Sequence, residues 1–261
     1  MAASHRIFGI PEVDGPISTA LPPGWLALLT GSSASGAPLL AKQFAHAGVG
    51  TVPVLFYTTY ERTIDVKKAF EDFGWDPSSI QVVNLADEYY ERVLIRGLEV
   101  ATAREKGLSL AQITGDSPSS RAGSAFSLTS RMLSDLAAID TPFRLVLDSV
   151  DFFFEVLSPA DVTTVARQIR FRCQTIGGHA MLAVHSRAHD SRVTGALEDL
   201  ADVVVDLRAT PAGRKYEHTL SVEKVRNRPD LQQIARARVT EQGWVVDMGA
   251  DPPEVHRPTS S

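Results

Sequence analysis

The stretch that most constrains this chain runs from Trp25 to Phe44: an apolar run (WLALLT), a loop of small residues (GSSASG) and a segment of helix-forming residues (APLLAKQF). Buried strand, glycine-bounded loop and helix in that order are the layout of a phosphate-binding loop, G-x-x-x-x-G-K-[ST]. In its working form backbone N–H groups cradle the phosphates, the Lys reaches the β- and γ-phosphates, and the hydroxyl holds magnesium. Gly31 and Gly36 keep the spacing, but Ala37 stands at the Lys position and Pro38 at the hydroxyl position. The candidate nucleotide-binding residues are therefore Gly31, Ser32, Ser33, Ala34, Ser35, Gly36, Ala37 and Pro38.

Such a loop keeps its positively polarised N–H groups and helix N-terminus whatever its side chains are, and Pro38 suits a first helical turn. What is missing is the cation and the side-chain metal ligand. One lost charge-assisted hydrogen bond costs about 1.5–3 kcal/mol, about ten- to a hundred-fold in affinity. The expectation is weakened binding and a larger loss of transition-state stabilisation, which depends on correctly placed charge. Lys42, the nearest later Lys, sits five residues on and falls on a different face of the helix.

The rest of the chain is of ordinary globular composition. Its 261 residues suffice for a large core, and a net charge of -5 argues against a general binder of nucleic acid or anionic membranes. The one cysteine, Cys173, excludes an intramolecular disulfide and fits a reducing cytosol. It shares an apolar face with Val162, Val165, Ile169 and Ile176 and reads as core. With no signal peptide visible at MAASHRIFG and no apolar run long enough to span a bilayer, the expected location is cytoplasmic.

Residues 1–24, rich in Gly and Pro, read as a lead-in ending in a turn. PVLFYTT (53–59) is an apolar run typical of a strand buried on both faces, and a helix follows over about 62–73. Further strands are expected at 80–85, 143–150, 179–185 and 202–207, and helices near 92–105, 126–139 and 159–176. Residues 106–125 read as a loop. Alternation of strands and helices to about residue 185 implies a mostly parallel central sheet flanked by helices. Strands near 216–225, 234–240 and 244–247, joined by short turns such as PAGRK, read as antiparallel strands at the sheet edge near the C-terminus. Residues 1–248 are expected to form a single domain, with a disordered tail over 249–261.

With these motifs placed, the chain resembles the RecA-superfamily ATPases of the KaiC/RadA type, particularly single-domain KaiC-like proteins. FGIPEVD resembles their T-G-I-P-x-L-D lead-in, and ALPPGWLALLTG their G-L-P-x-G strand into the Walker A loop. FYTTYERTIDVKKAFEDFGWD resembles the segment carrying a catalytic Glu pair and a helix closing in G-W-D. LVLDSV resembles the Walker B strand, and LSVEKVRNRP the K-x-R-x-x-P strand. The resemblance spans residues 8–247 and implies an α/β, RecA-like P-loop fold.

Carried over by position, the resemblance makes Asp148 the Walker B carboxylate that holds Mg²⁺ if nucleotide binds. It makes Glu61 a vestigial general base, with Tyr60 at the first position of the Glu pair. Lys224 and Arg226 match residues that contact the γ-phosphate of a neighbouring subunit in trans. The implied cofactor, ATP with Mg²⁺, is weakened. His185 and Ser186 stand where the family places polar residues that sense the nucleotide. The segment 186–195, with Arg187, His189 and Arg192, corresponds to a central-pore loop. Each of these residues also has an ordinary structural role open to it: a strand-end acid, a capping residue, a solvated edge strand.

Three functions follow as expectations. The first is a degenerate ATPase-fold protein with impaired or absent hydrolysis, acting as a regulatory or assembly partner in a homo-oligomer or beside a related ATPase. The second is an ATP-binding protein with slow ATPase activity. The third is a single-stranded DNA-binding recombination or repair accessory, which the acidic chain and the lack of aromatic residues in the candidate loops disfavour.

Overall fold

Strand β1 (Trp25–Gly31) is buried along its whole length, and the fold is built outward from it. The computed structural model describes residues 7–32, 34–87, 89–91, 129–185 and 191–249. Successive side chains of a strand point to opposite faces. Trp25, Ala27 and Leu29 accordingly enter one apolar core while Leu26 and Leu28 enter another. A strand apolar on both sides has helices above and below it, which is the condition for a parallel sheet.

After β1 come α1's successor α2 (Ala37–His46), β2 (Val54–Thr58), α3 (Thr63–Glu71) and β3 (Ile80–Asn84), α1 itself (Pro11–Ala20) preceding β1. Then follow β4 (Arg144–Asp148), α4 (Asp151–Val156), α5 (Pro159–Ile176), β5 (His179–His185) and α6 (Ser191–Leu200). The chain closes with β6 (Val203–Ala212), β7 (Lys215–Val225), β8 (Gln233–Thr240) and β9 (Gly243–Asp247). One nine-stranded sheet results, in the order β3-β2-β4-β5-β1-β6-β7-β8-β9. Pairing is parallel from β3 to β6 and antiparallel from β6 to β9. The alternating section and the C-terminal hairpins are as the residue pattern implies.

One core packs α1, α2 and α3 against the sheet and is closed by Trp244 of β9; the other lies under α4, α5 and α6. Cys173 is buried in the second core, and burial pushes its thiol up, away from reactivity. Helix α5 carries its own boundaries: Ser158 accepts the N–H of Asp161 at 3.2 Å, Pro159 opens the first turn, and Gly177 ends it at φ 79°.

The lead-in differs from the expectation. Residues 11–20 form α1, which begins on Pro11 and runs through Pro16. An interior proline removes one helical hydrogen bond, so tertiary contacts must hold the helix. Buried Asp14 supplies one set, accepting the N–H groups of Phe8 at 2.7 Å, Gly9 at 3.0 Å and Ile10 at 3.2 Å. Buried Arg144 ties the segment before α1 to α2: its Nη1 donates to the carbonyls of Ile7 and Phe44, and its guanidinium lies 4.6 Å from the Phe44 ring. Burial lowers the Arg144 pKa to about 10.

The expected helix near 92–105, the loop 106–125, the tail beyond Gly249 and part of the helix near 126–139 lie outside the described residues. The part of that helix that is described, residues 129–137, is helical.

Candidate nucleotide pocket

The glycine loop leaves β1 at Gly31 and enters α2 at Ala37. Gly31 has no room for a side chain: a Cβ there would sit 2.5 Å from Ser35 Oγ and 3.2 Å from the Leu207 carbonyl. Gly36 is left-handed, at φ 77°, and a Cβ on it would meet the Trp244 indole at 2.7 Å. Trp244 also donates its Nε1–H to the Gly36 carbonyl at 3.2 Å, so β9 braces the loop from behind. Ser35 is fully buried, and its Oγ accepts the N–H of Ala37 at 3.2 Å. One N–H of the helix start is therefore already satisfied from within the loop. Ser33 lies outside the described residues.

Gly31, Ser32, Ala37 and Pro38 form one wall of a cavity of about 560 Å³ at the C-terminal ends of the central strands. That size suits a small-molecule ligand, and strand ends of this kind are where open α/β sheets place their ligands. Asp148, Ser149 and Asp151 face that wall, with Tyr60 beside them and Ala183, Val184 and His185 completing the lining. Ala34, Ser35 and Gly36 belong to the loop but do not line the cavity.

Asp148 ends β4 beside β2, paired in register with Thr58. It is 2% exposed, and both of its carboxylate oxygens accept from the Tyr60 hydroxyl at 3.1 Å. Burial raises its pKa to about 6, against the Lys42 charge and the Tyr60 hydrogen bond, which pull it down. Burial and the Asp148 charge push the Tyr60 hydroxyl up, so it remains a donor. The Asp148–Ser149 peptide is cis. Asp151 accepts the His185 N–H on both oxygens at 3.1 Å, tying α4 to the end of β5.

Glu61 is held by its neighbours. Thr58 Oγ1 accepts its N–H at 3.1 Å, and Asn84 Nδ2 donates to its carbonyl at 2.9 Å. Its side chain pairs with Lys42 at 2.7 Å, and the Lys42 side chain is 4% exposed. Lys42 does not line the cavity. Its long stem nevertheless carries the ammonium past the Phe56 ring, 5.7 Å away, to Glu61, close enough for its charge to act on Asp148. The reach of that side chain was not legible in the sequence.

Lys224 and Arg226 are not in the cavity wall. Lys224 Nζ donates to the carbonyls of Glu198 at 2.7 Å and Asp199 at 3.1 Å, at the C-terminal end of α6, where a cation suits the helix dipole. Arg226 pairs with Asp202 and donates to the Leu200 carbonyl at 3.0 Å. Asp202 also receives a two-pronged bond from Arg170 and the Leu26 N–H. Both basic residues thus contact their own chain, at the C-terminal end of α6 and the Asp202 that follows it. Ser186, Arg187 and His189 lie outside the described residues, as does the side chain of Arg192.

A parallel sheet whose central strand runs through a glycine loop into a helix, with an acid ending a nearby strand, defines the fold of the RecA-superfamily ATPases. The chain belongs to the KaiC family: the family described as "ATPase: KaiC" matches residues 8–250. Among solved structures it is similar to a KaiC-like protein from the hyperthermophilic archaeon Pyrococcus horikoshii. The TM-score is 0.65 at 21% identity, covering 92% of this chain and 97% of that one. A UPF0273 protein of Methanopyrus kandleri is 24% identical over 253 residues, 95% of this chain and 93% of its own. Among the described residues no helix is long and apolar enough to cross a membrane.

Proposed function

We propose that this chain is a KaiC-family protein whose pocket has lost efficient phosphoryl-transfer chemistry. It acts as a regulatory or assembly partner, in a homo-oligomer or beside a related ATPase. The observation that carries this reading is the charge of the pocket: Asp148 and Asp151 line it, and none of the described lining residues is Lys or Arg. A nucleoside triphosphate brings several negative charges into a site of low dielectric, where like charges repel strongly unless cations neutralise them.

ATP with Mg²⁺ is the family's cofactor. Magnesium takes a near-octahedral set of oxygens, from carboxylates, a loop hydroxyl, phosphates and water. Here the hydroxyl position is Pro38, and Asp148 is engaged by Tyr60 on both oxygens. The residues present do not fit the metal in this arrangement. The Glu61 carboxylate, the remaining candidate base, is paired with Lys42. Contact in trans through Lys224 and Arg226 requires both to leave partners in their own chain.

A slow ATPase is the second reading, favoured by the Lys42 charge near Asp148. The two separate on ATP turnover by the purified protein and by the double variant Asp148→Asn/Glu61→Gln. Equal phosphate release supports the non-catalytic reading; a drop of ten-fold or more in the variant supports the ATPase.

A further inference from the structure

Tyr60 stands where the resemblance places the first of two catalytic glutamates, and it does something a glutamate there cannot. Its hydroxyl donates toward the carboxylate that ends β4, equidistant at 3.1 Å from the two oxygens. A glutamate at the same place presents a second negative charge to Asp148, and two adjacent carboxylates attract a divalent cation. A tyrosine presents a neutral donor, which gives the carboxylate a hydrogen bond and adds no charge.

We propose that Tyr60 is a metal-excluding residue: its hydroxyl sits between the two oxygens of Asp148, where a divalent cation would have to approach them, and keeps divalent cations out of the pocket. This rests on the functional reading above and gives it a physical cause at one side chain.

Three further features of the site agree with it. The turn that presents Tyr60 is fixed on both sides, because Thr58 Oγ1 accepts the N–H groups of Tyr60 and Glu61, and Asn84 holds the Glu61 carbonyl. The hydroxyl is therefore presented to Asp148 by a braced backbone. The next acid along, Glu61, has its charge balanced by Lys42 at 2.7 Å, so it is not available as a second metal ligand while that pair holds. Asp151 is turned to the His185 N–H. Each of these three carboxylates thus has a donor within the chain. Tyr60 is nevertheless 54% exposed and lines the cavity. The exclusion is a matter of one displaceable hydrogen-bonded group and not of a closed wall.

Loss of a hydrogen bond to a charged acceptor changes affinity by about ten- to a hundred-fold, which sets the size of the effect. The test is titration of the full chain with Mn²⁺ alone, followed by its electron paramagnetic resonance signal, for the wild type, Tyr60→Phe, Tyr60→Ala and Tyr60→Phe/Asp148→Asn. The expected result is no saturable binding by the wild type at millimolar metal. Tyr60→Phe, which removes the hydroxyl alone, should gain affinity by at least ten-fold, and Asp148→Asn should abolish the gain. Tyr60→Ala should gain as well, and melting temperatures show whether each variant is folded. Wild-type binding as tight as that of the variants overturns the inference. So does a gain that survives Asp148→Asn, a gain in Tyr60→Ala without one in folded Tyr60→Phe, or no gain in either folded variant. The readout involves no turnover: a wild type that binds Mn²⁺ yet hydrolyses no ATP refutes the role of Tyr60 while leaving the functional reading standing.

Discussion

Lys42 and Glu61 form an ion pair in which one partner is almost wholly buried, and such pairs are costly to break from one side. Replacing Lys42 by Met leaves the Glu61 carboxylate, 23% exposed, beside apolar surface. The expected cost is about 1.5–3 kcal/mol, the usual range for a charge-assisted bond. Lys42→Met/Glu61→Gln should recover part of it, and chemical denaturation of the four proteins of the cycle measures the coupling. At this scale the sequence was only half legible. Ala37 and Pro38 can be read directly, because the Gly31–Gly36 spacing marks the two positions that follow the loop. The hydrogen bonds of Tyr60 to Asp148 and of Ser35 to Ala37 cannot, since they depend on where the ends of β2, β4 and the loop meet in space. The one available signal was Tyr60 itself, a hydroxyl where the family has an acid.

Helix α1 shows why an element can be present without being legible. Gly15 and Pro16 inside PEVDGPISTA are the residues that ordinarily mark a turn. What holds the helix is the apolar contact of Val13 and Ile17 with the first core, and Asp14, which clamps residues 8–10. Burial raises the Asp14 pKa from the ordinary 3.8 to about 6, outweighing the backbone N–H groups that lower it. Between those two values the folded chain holds a proton that the unfolded chain has lost, so this group's contribution to stability is full below about pH 4. It is then lost as pH rises through about 6. The amount is about 3 kcal/mol at most. The stability advantage of the wild type over Asp14→Asn should accordingly shrink between pH 4 and pH 6.5, measured by urea denaturation across that range. An advantage that grows with pH contradicts the assignment. Elements with regular patterns were readable: α5 announces its start with Ser158-Pro159 and its end with Gly177. The last three strands alternate with turn residues at the expected places, Gly213 among them.

At the scale of the molecule, the order of strands and helices specifies the sheet. Apolar runs buried on both faces demand helical layers and therefore parallel pairing, and the C-terminal hairpins extend the sheet beyond β6. Such a fold is host to many activities, and what it does is decided at the strand ends. There the pocket is of a size for a nucleotide but is acidic, and the Asp148 carboxylate in it is hydrogen-bonded by Tyr60. The measurement that tests this account most directly is calorimetric titration of the full chain with ATP, with and without Mg²⁺, alongside light scattering to read the number of subunits. The account predicts weak binding, or none at millimolar nucleotide, that Mg²⁺ does not strengthen. Tight binding that depends on Mg²⁺ and on Asp148, and that drives assembly, would contradict it.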